Sequence, residues 1–185
     1  MRILVPALFL VFLITACTGR ENPTLKARKE LSKMADSVAR PKPDTLHFVV
    51  EDRPCYAVID RRYLDFGHRS EFPLSLFVTL ETRKKDRNGH PDPEEARAHA
   101  GLLSEIVASL DAIGVNAYIG KTTMTGFEDL IFYVREADQP AIRTRLEELQ
   151  RQNRVIREYT FEQDPQWEAV SEFFEAMNKG QISAP

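Results

Sequence analysis

Residues 73–81 read Pro-Leu-Ser-Leu-Phe-Val-Thr-Leu-Glu. Leu74, Leu76, Val78 and Leu80 alternate with Ser75, Phe77 and Thr79, so the four aliphatic side chains share one face of a strand. A charged loop, 82–91, leads to Asp92-Pro93-Glu94-Glu95. There Asp92 can cap a helix, Pro93 suits its first position and Glu95 completes a capping box. Ala96, Leu103, Ile106, Val107 and Leu110 carry the helical repeat to Ile113, and Gly114 is expected to end it at positive φ. Strands are expected at 115–121 and 127–135, with a turn at 122–126 between them. A second helix follows from Ala137-Asp138-Gln139-Pro140, burying Ile142, Leu146 and Leu149 and closing at Asn153. Residues 155–162 form the next strand.

Working outward, 45–50 and 55–60 read as a hairpin around Glu51-Asp52-Arg53-Pro54, and 61–72 as a polar loop. Asp164-Pro165-Gln166 repeats the acid-then-proline helix start, ahead of Trp167, Val170, Phe174 and Met177. From 73 to 162 the order is strand, helix, strand, strand, helix, strand. That order predicts an α+β fold, a ferredoxin-like (split βαβ) two-layer sandwich with an added N-terminal β-hairpin and a C-terminal helix.

The chain of 185 residues carries 25 Lys and Arg against 28 Asp and Glu, a net charge of -3, which offers no broad basic field for nucleic acid. Apolar residues make up 43%, enough to build a core. Two cysteines are too few for a disulfide scaffold. Arg2 followed by an apolar run broken only by Pro6 ends in Ile14-Thr15-Ala16-Cys17, the spacing of a lipobox. The run is shorter than the roughly 20 residues of a membrane span. The expected organisation is a signal peptide over 1–16, a lipidated Cys17 with a charged tether over 17–44, one domain over 45–177 and a disordered tail over 178–185. The tether carries Leu25, Leu31, Met34 and Val38 at helical spacing among basic residues and closes at Pro41-Lys42-Pro43. Thr18 and Gly19, with no Asp beside the cysteine, make the outer membrane the default in a cell with two membranes. Lipidation consumes Cys17, leaving Cys55 as a lone thiol, read as buried and inert at a strand start.

Several segments occur together in a recognisable order. They are the opening hairpin, Phe72-Pro73-Leu74-Ser75-Leu76-Phe77-Val78, the strand end Gly120-Lys121-Thr122-Thr123, Leu130-Ile131-Phe132-Tyr133-Val134 and the closing Glu162-Gln163-Asp164-Pro165-Gln166-Trp167. Over about 45–177 the chain resembles the family called domain of unknown function 695. Gln166 replaces the Glu of that family's Asp-Pro-Glu-Trp motif, while Trp167, Phe173 and Phe174 keep its aromatic pattern. The resemblance implies no catalytic residues, because the family has no established activity. In shape it is similar to a regulator of ribonuclease activity, which acts by binding a protein. An exported lipoprotein does not meet a cytoplasmic ribonuclease, so that partner does not carry over.

No residue pattern announces chemistry. Gly120-Lys121-Thr122 lacks the earlier glycine of a phosphate loop and precedes a strand where a helix should cradle phosphates. His90, Asp92, Glu95 and His99 are close in sequence, but their spacing fits no strong zinc signature. No serine sits on a glycine-flanked elbow. No cofactor, metal or catalytic residue is assigned. The dense basic patches are Arg61-Arg62 and the run containing Lys84 and Lys85. With Tyr63, Phe66 and Phe72 as aromatic anchors, they make a candidate surface for an envelope protein partner. The competing expectation is an envelope hydrolase using His90 or His99 with nearby carboxylates. A third has Tyr118, Phe132 and Tyr133 lining a small-ligand pocket beneath the sheet. Lipidation has a direct check: wild type is expected to incorporate radiolabelled palmitate and partition into detergent, and Cys17→Ala to do neither.

Overall fold

The structure is a computed structural model that describes residues 43–180 together with 25, 26, 29 and 30. Cys17, the leader, the stripe residues Leu31, Met34 and Val38 and the tail 181–185 lie outside the described residues. Leu25, Lys26, Lys29 and Glu30 are helical, with Leu25 47% exposed. Among the described residues, no helix is long and apolar enough to cross a membrane.

Six strands form one sheet: β1 (Pro43–Val50), β2 (Arg53–Asp60), β3 (Leu74–Glu81), β4 (Asn116–Met124), β5 (Phe127–Val134) and β6 (Ile156–Gln163). Helix α1 (Pro93–Ile113) joins β3 to β4, α2 (Gln139–Gln152) joins β5 to β6, and α3 (Ser171–Asn178) ends the fold. The sheet order is β1-β2-β4-β5-β3-β6, with every neighbouring pair antiparallel. Over the described residues 43–180 the fold is therefore α+β, a six-stranded sheet with three α-helices.

Alternation along the strands sends apolar side chains to two separate cores. Leu74, Leu76, Val78 and Leu80 of β3 and Leu130, Phe132 and Val134 of β5 pack against Leu102, Ile106 and Leu110 of α1 and Ile142, Leu146 and Leu149 of α2. On the opposite face, Ile131 and Tyr133 meet Ala57, Ile59, Ala117 and Ile119, covered by Tyr63, Phe66, Phe72, Trp167, Val170, Phe174 and Met177. The stretch 61–72 is thus a lid over the second core, with two single-turn 3-10 helices at Arg61–Tyr63 and Arg69–Glu71. This stretch holds the three aromatics expected as anchors for a protein partner. Tyr63 and Phe66 are 6% and 5% exposed and Phe72 is fully buried, because a sheet with apolar residues on both faces must be covered twice.

Several local expectations change for physical reasons. The β1–β2 turn is two residues, Glu51 and Asp52, both at positive φ (50° and 61°) as a twist-matched hairpin requires. Pro54 joins β2 opposite Val49, ahead of Tyr56 where pairing with β4 begins, so its missing N–H costs that ladder nothing. Asp92 does cap α1, accepting from the Glu94 and Glu95 amides at 2.9 Å each. Glu95 does not close a capping box; its carboxylate accepts instead from the amides of Arg83 and Lys84 in the preceding loop. Gly114 is extended (φ −173°), not left-handed; a Cβ there would lie 2.4 Å from an Asp138 carboxylate oxygen. Asp164 starts no long helix directly: Trp167 takes φ 62°, a 3-10 turn follows at Glu168–Val170, and α3 begins only at Ser171.

Among the described glycines, Gly120 makes the tightest backbone approach. It has φ 151°, and a Cβ at this position would stand 2.0 Å from the carbonyl oxygen of Val58 in β2. Gly120→Ala is expected to cost about 3 kcal/mol, through overpacking against a backbone that cannot retreat. Urea denaturation of the variant beside wild type measures the loss.

Candidate functional site

The most concentrated buried polar chemistry lies between the first turns of α1 and the β4–β5 hairpin. Glu95 and His99 stand one helical turn apart and are both buried. A bulge in β4 supplies their partners. Tyr118 pairs with Phe132 and Gly120 with Ile131, leaving Ile119 as the extra residue. The inserted residue reverses the facing of everything after it, so Lys121 and Thr123 point to the α1 side along with Glu128.

Glu128 is 1% exposed and collects three donors. His99 Nδ1 donates to Oε2 at 2.6 Å; Lys121 Nζ and Thr123 Oγ1 donate to Oε1 at 2.5 and 2.8 Å. Burial alone would push the Glu128 carboxyl up. The His99 hydrogen bond, the Lys121 charge and the bonds from Lys121 and Thr123 outweigh it and bring the group down to about 2. An ionised carboxylate only accepts, so Nδ1 of His99 carries a proton. The other ring nitrogen, Nε2, is buried with no hydrogen-bond partner, 3.7 Å from Glu95 Oε1. The network ties α1 to the hairpin, and Lys121 is its one partly solvent-facing member, with a quarter of its side chain exposed.

His90 lies in the loop above, where Nε2–H donates to the Pro54 carbonyl at 2.7 Å and the ring meets Tyr56 edge-on. It clamps the loop to the β1–β2 hairpin. His99 does have acidic neighbours, as the hydrolase expectation requires, but neither histidine lines the cavity beside Arg62 or the groove between α1 and α2. Among the described residues, no group of three His, Cys, Asp or Glu side chains could hold a metal.

A second polar knot closes the opposite core. Trp167 stacks on Tyr133 with ring centroids 4.2 Å apart, and its Nε1–H donates to the Phe72 carbonyl at 3.1 Å. Asp164 accepts from the Tyr133 hydroxyl at 2.5 Å and from the amides of Glu168 and Ala169 at 2.7 and 3.0 Å. Burial, with that carboxylate beside it, drives the Tyr133 phenol far above its ordinary value. Arg69 reaches over both Trp167 and Phe174 and donates to the Leu64 carbonyl at 2.8 Å. Tyr133 and Phe132 are core side chains on opposite faces of β5, so they line no common pocket.

The basic patches do not meet. Arg61 and Arg62 follow the end of β2, bound to Asp44 at 2.6 Å and to Asp60 at 2.5 Å. Lys84 pairs with Glu94 at 2.8 Å, and Lys85 lies by the Gly126 turn, at the end where β2 begins. The length of β2, about 20 Å, separates the two groups. Beside Arg62 lies a cavity of about 300 Å³ between α1 and the β1–β2 extension, with Val58, Val107, Tyr118 and Ile119 in its lining and Asp60 and Asp111 among its polar members. A shallower groove of about 520 Å³ runs between α1 and α2 past Ala108, Ala112 and Arg145. Cys55 is buried and unpaired by disulfide, as its strand context suggests.

With this geometry in hand, residues 44–174 match the family described as "Family of unknown function (DUF695)". The chain belongs to that family. No curated protein and no solved structure matches it. Membership in DUF695 brings no assigned activity. The sequence pattern gives Thr123 no site role and does not single out Glu128, although Glu128 does stand in phase with Leu130, Phe132 and Val134, a carboxylate on an apolar stripe.

The sign of the pH dependence follows from Glu128. Its folded-state value is depressed, so its contribution is complete above pH 4.5, the ordinary value for Glu, and is lost as pH falls toward 2. Wild type is expected to lose about 3 kcal/mol through this group over that window. The difference between wild type and Glu128→Gln in denaturant titrations across pH 2–6 isolates it from the other carboxylates.

Proposed function

We propose that this chain is a lipid-anchored protein of the bacterial envelope whose domain is a non-catalytic protein-binding or structural module. The observation that carries the reading is the closure of the Glu128 network. The carboxylate is held ionised at about 2, a poor general base near neutral pH, and its donors His99, Lys121 and Thr123 are directed at it. Likewise Glu95 and Asp164 hold backbone amides in place. Acid and base groups here serve architecture.

Recognition on this reading uses the sheet end at Arg61 and Arg62, beside the cavity lined by Val58, Val107 and Tyr118. Arg61 keeps 43% of its side chain exposed, and an apolar floor under a charged rim suits a protein contact. Lys84 and Lys85 belong to a separate surface. We infer further that β3-α1-β4-β5-α2-β6 is a ferredoxin-like unit, supported by the strand order β4-β5-β3-β6 and by both helices packing on one face. The leader over 1–16, followed directly by Cys17, supports the anchored, envelope location, with the outer membrane the default.

Cross-linking in intact cells, followed by mild detergent purification and mass spectrometry, tests the proposal. One envelope protein is expected with wild type and to be lost with both Cys17→Ala and Arg61→Glu. Recovery of no specific protein, with lipid on the wild type verified, while the purified chain turns over a substrate would overturn it.

A further inference from the structure

The two edges of the sheet are built differently. On the β6 edge, Thr79 pairs with Glu158 and Leu80 with Ile156, so Arg157 is an extra, bulged residue. Arg157 and Glu158 form a 3.6 Å ion pair with both side chains more than half exposed, and Glu162 adds another exposed charge. A bulge and exposed charges are what keep an edge from pairing with another chain.

The β1 edge has neither device. Its pairing with β2 runs in unbroken register from Pro43↔Asp60 to Val50↔Arg53, and β2 is its only strand neighbour among the described residues. The other row of β1 amides and carbonyls therefore faces away from the sheet. Residues 45–50, Thr-Leu-His-Phe-Val-Val, carry no Asp, Glu, Lys or Arg. The one carboxylate of the strand, Asp44, is bound by Arg61 of its own chain. Val49 and Val50 are the exposed large hydrophobics of the sheet, at 68% and 38%. An uncharged, regular edge rich in β-branched residues is a template for strand addition.

We propose that β1 is a homodimerisation edge, on which a second copy of this chain adds its own β1 antiparallel about a two-fold axis. Charge selects this occupant. Arg40 and Lys42 precede β1 in the sequence, and Glu51 and Asp52 follow it. In an antiparallel pair the entry of each strand lies beside the exit of the other, so a chain entering after basic residues in its sequence comes beside the acidic Glu51-Asp52 turn of the other copy. The pairing also closes on itself: a two-fold contact consumes the open edge of both copies, and the bulged β6 edge offers no route to a fibre. This inference rests on the edge alone and stands independently of the envelope reading.

Sedimentation equilibrium of the full chain in density-matched detergent tests it, with Val49→Lys and His47→Lys as edge variants and Thr160→Lys on β6 as the control. Wild type and Thr160→Lys are expected to dimerise alike, and both edge variants to dimerise at least about tenfold more weakly, with unchanged thermal melting at concentrations dilute enough that every form is monomeric. Position 49 is exposed enough to accept lysine without disturbing the fold, and position 47 gives a second, independent reading of the same edge. A wild-type chain that stays monomeric up to about 100 μM overturns the proposal, as does a dimer that both edge variants leave intact.

Discussion

Strand β5 is buried on both sides, with Leu130, Phe132 and Val134 against the two long helices and Ile131 and Tyr133 against the layer built around Trp167. Its sheet can be stable only if two separate coverings are supplied, and the remainder of the chain is arranged to supply them. Helices α1 and α2 form one covering from regularly spaced aliphatic residues. The other is assembled from pieces far apart in sequence: the 61–72 segment, the turn after β6 that carries Trp167 and Val170, and the short α3. They are joined where Trp167 stacks on Tyr133 and donates to the Phe72 carbonyl. Fully burying a large side chain contributes on the order of 2 kcal/mol, so a double-sided sheet gains stability only while both coverings stay closed.

Within this frame two carboxylates are buried at a cost and then satisfied. Glu128 is held by three side-chain donors, and Asp164 by a phenol and two amides. Each removes freedom from the fold: Glu128 fixes the register of α1 over the hairpin, and Asp164 fixes the left-handed step at Trp167 from which α3 departs. A buried charge with complete partners specifies an arrangement more than it adds net stability. That is the physical ground for reading these groups as architecture.

The secondary structure was largely legible because it rests on local periodicity. Leu74, Leu76, Val78 and Leu80, the Asp92 cap and the Ile142, Leu146 and Leu149 stripe all behave as their spacing suggests. Readings that needed knowledge of what lies across space fared differently. Tyr63, Phe66 and Phe72 occur among Arg, Asp and His residues and look like a surface loop, until the second face of the sheet demands a cover. Glu95 has the spacing of a capping box, but the Arg83 and Lys84 amides lie closer to its carboxylate. Gly114 follows a helix as a left-handed stop would, yet what forbids a side chain there is Asp138, 24 residues along the chain.

The candidate site divides the same way. The sequence alone determined that the chain would form strands, helices and turns in this order, that it belongs with DUF695 in the order of its segments, and that no strong catalytic or metal signature is present. Only tertiary structure decided which polar residues meet. A single extra residue at Ile119 reverses the facing of β4 and carries Lys121 and Thr123 to Glu128, and no local pattern announces a bulge. Tertiary structure also separated Arg61 and Arg62 from Lys84 and Lys85 by the length of β2, and left β1 as the uncharged edge. Periodicity is a property of neighbours along the chain, whereas bulges, coverings and edges are set by what the rest of the molecule places opposite them.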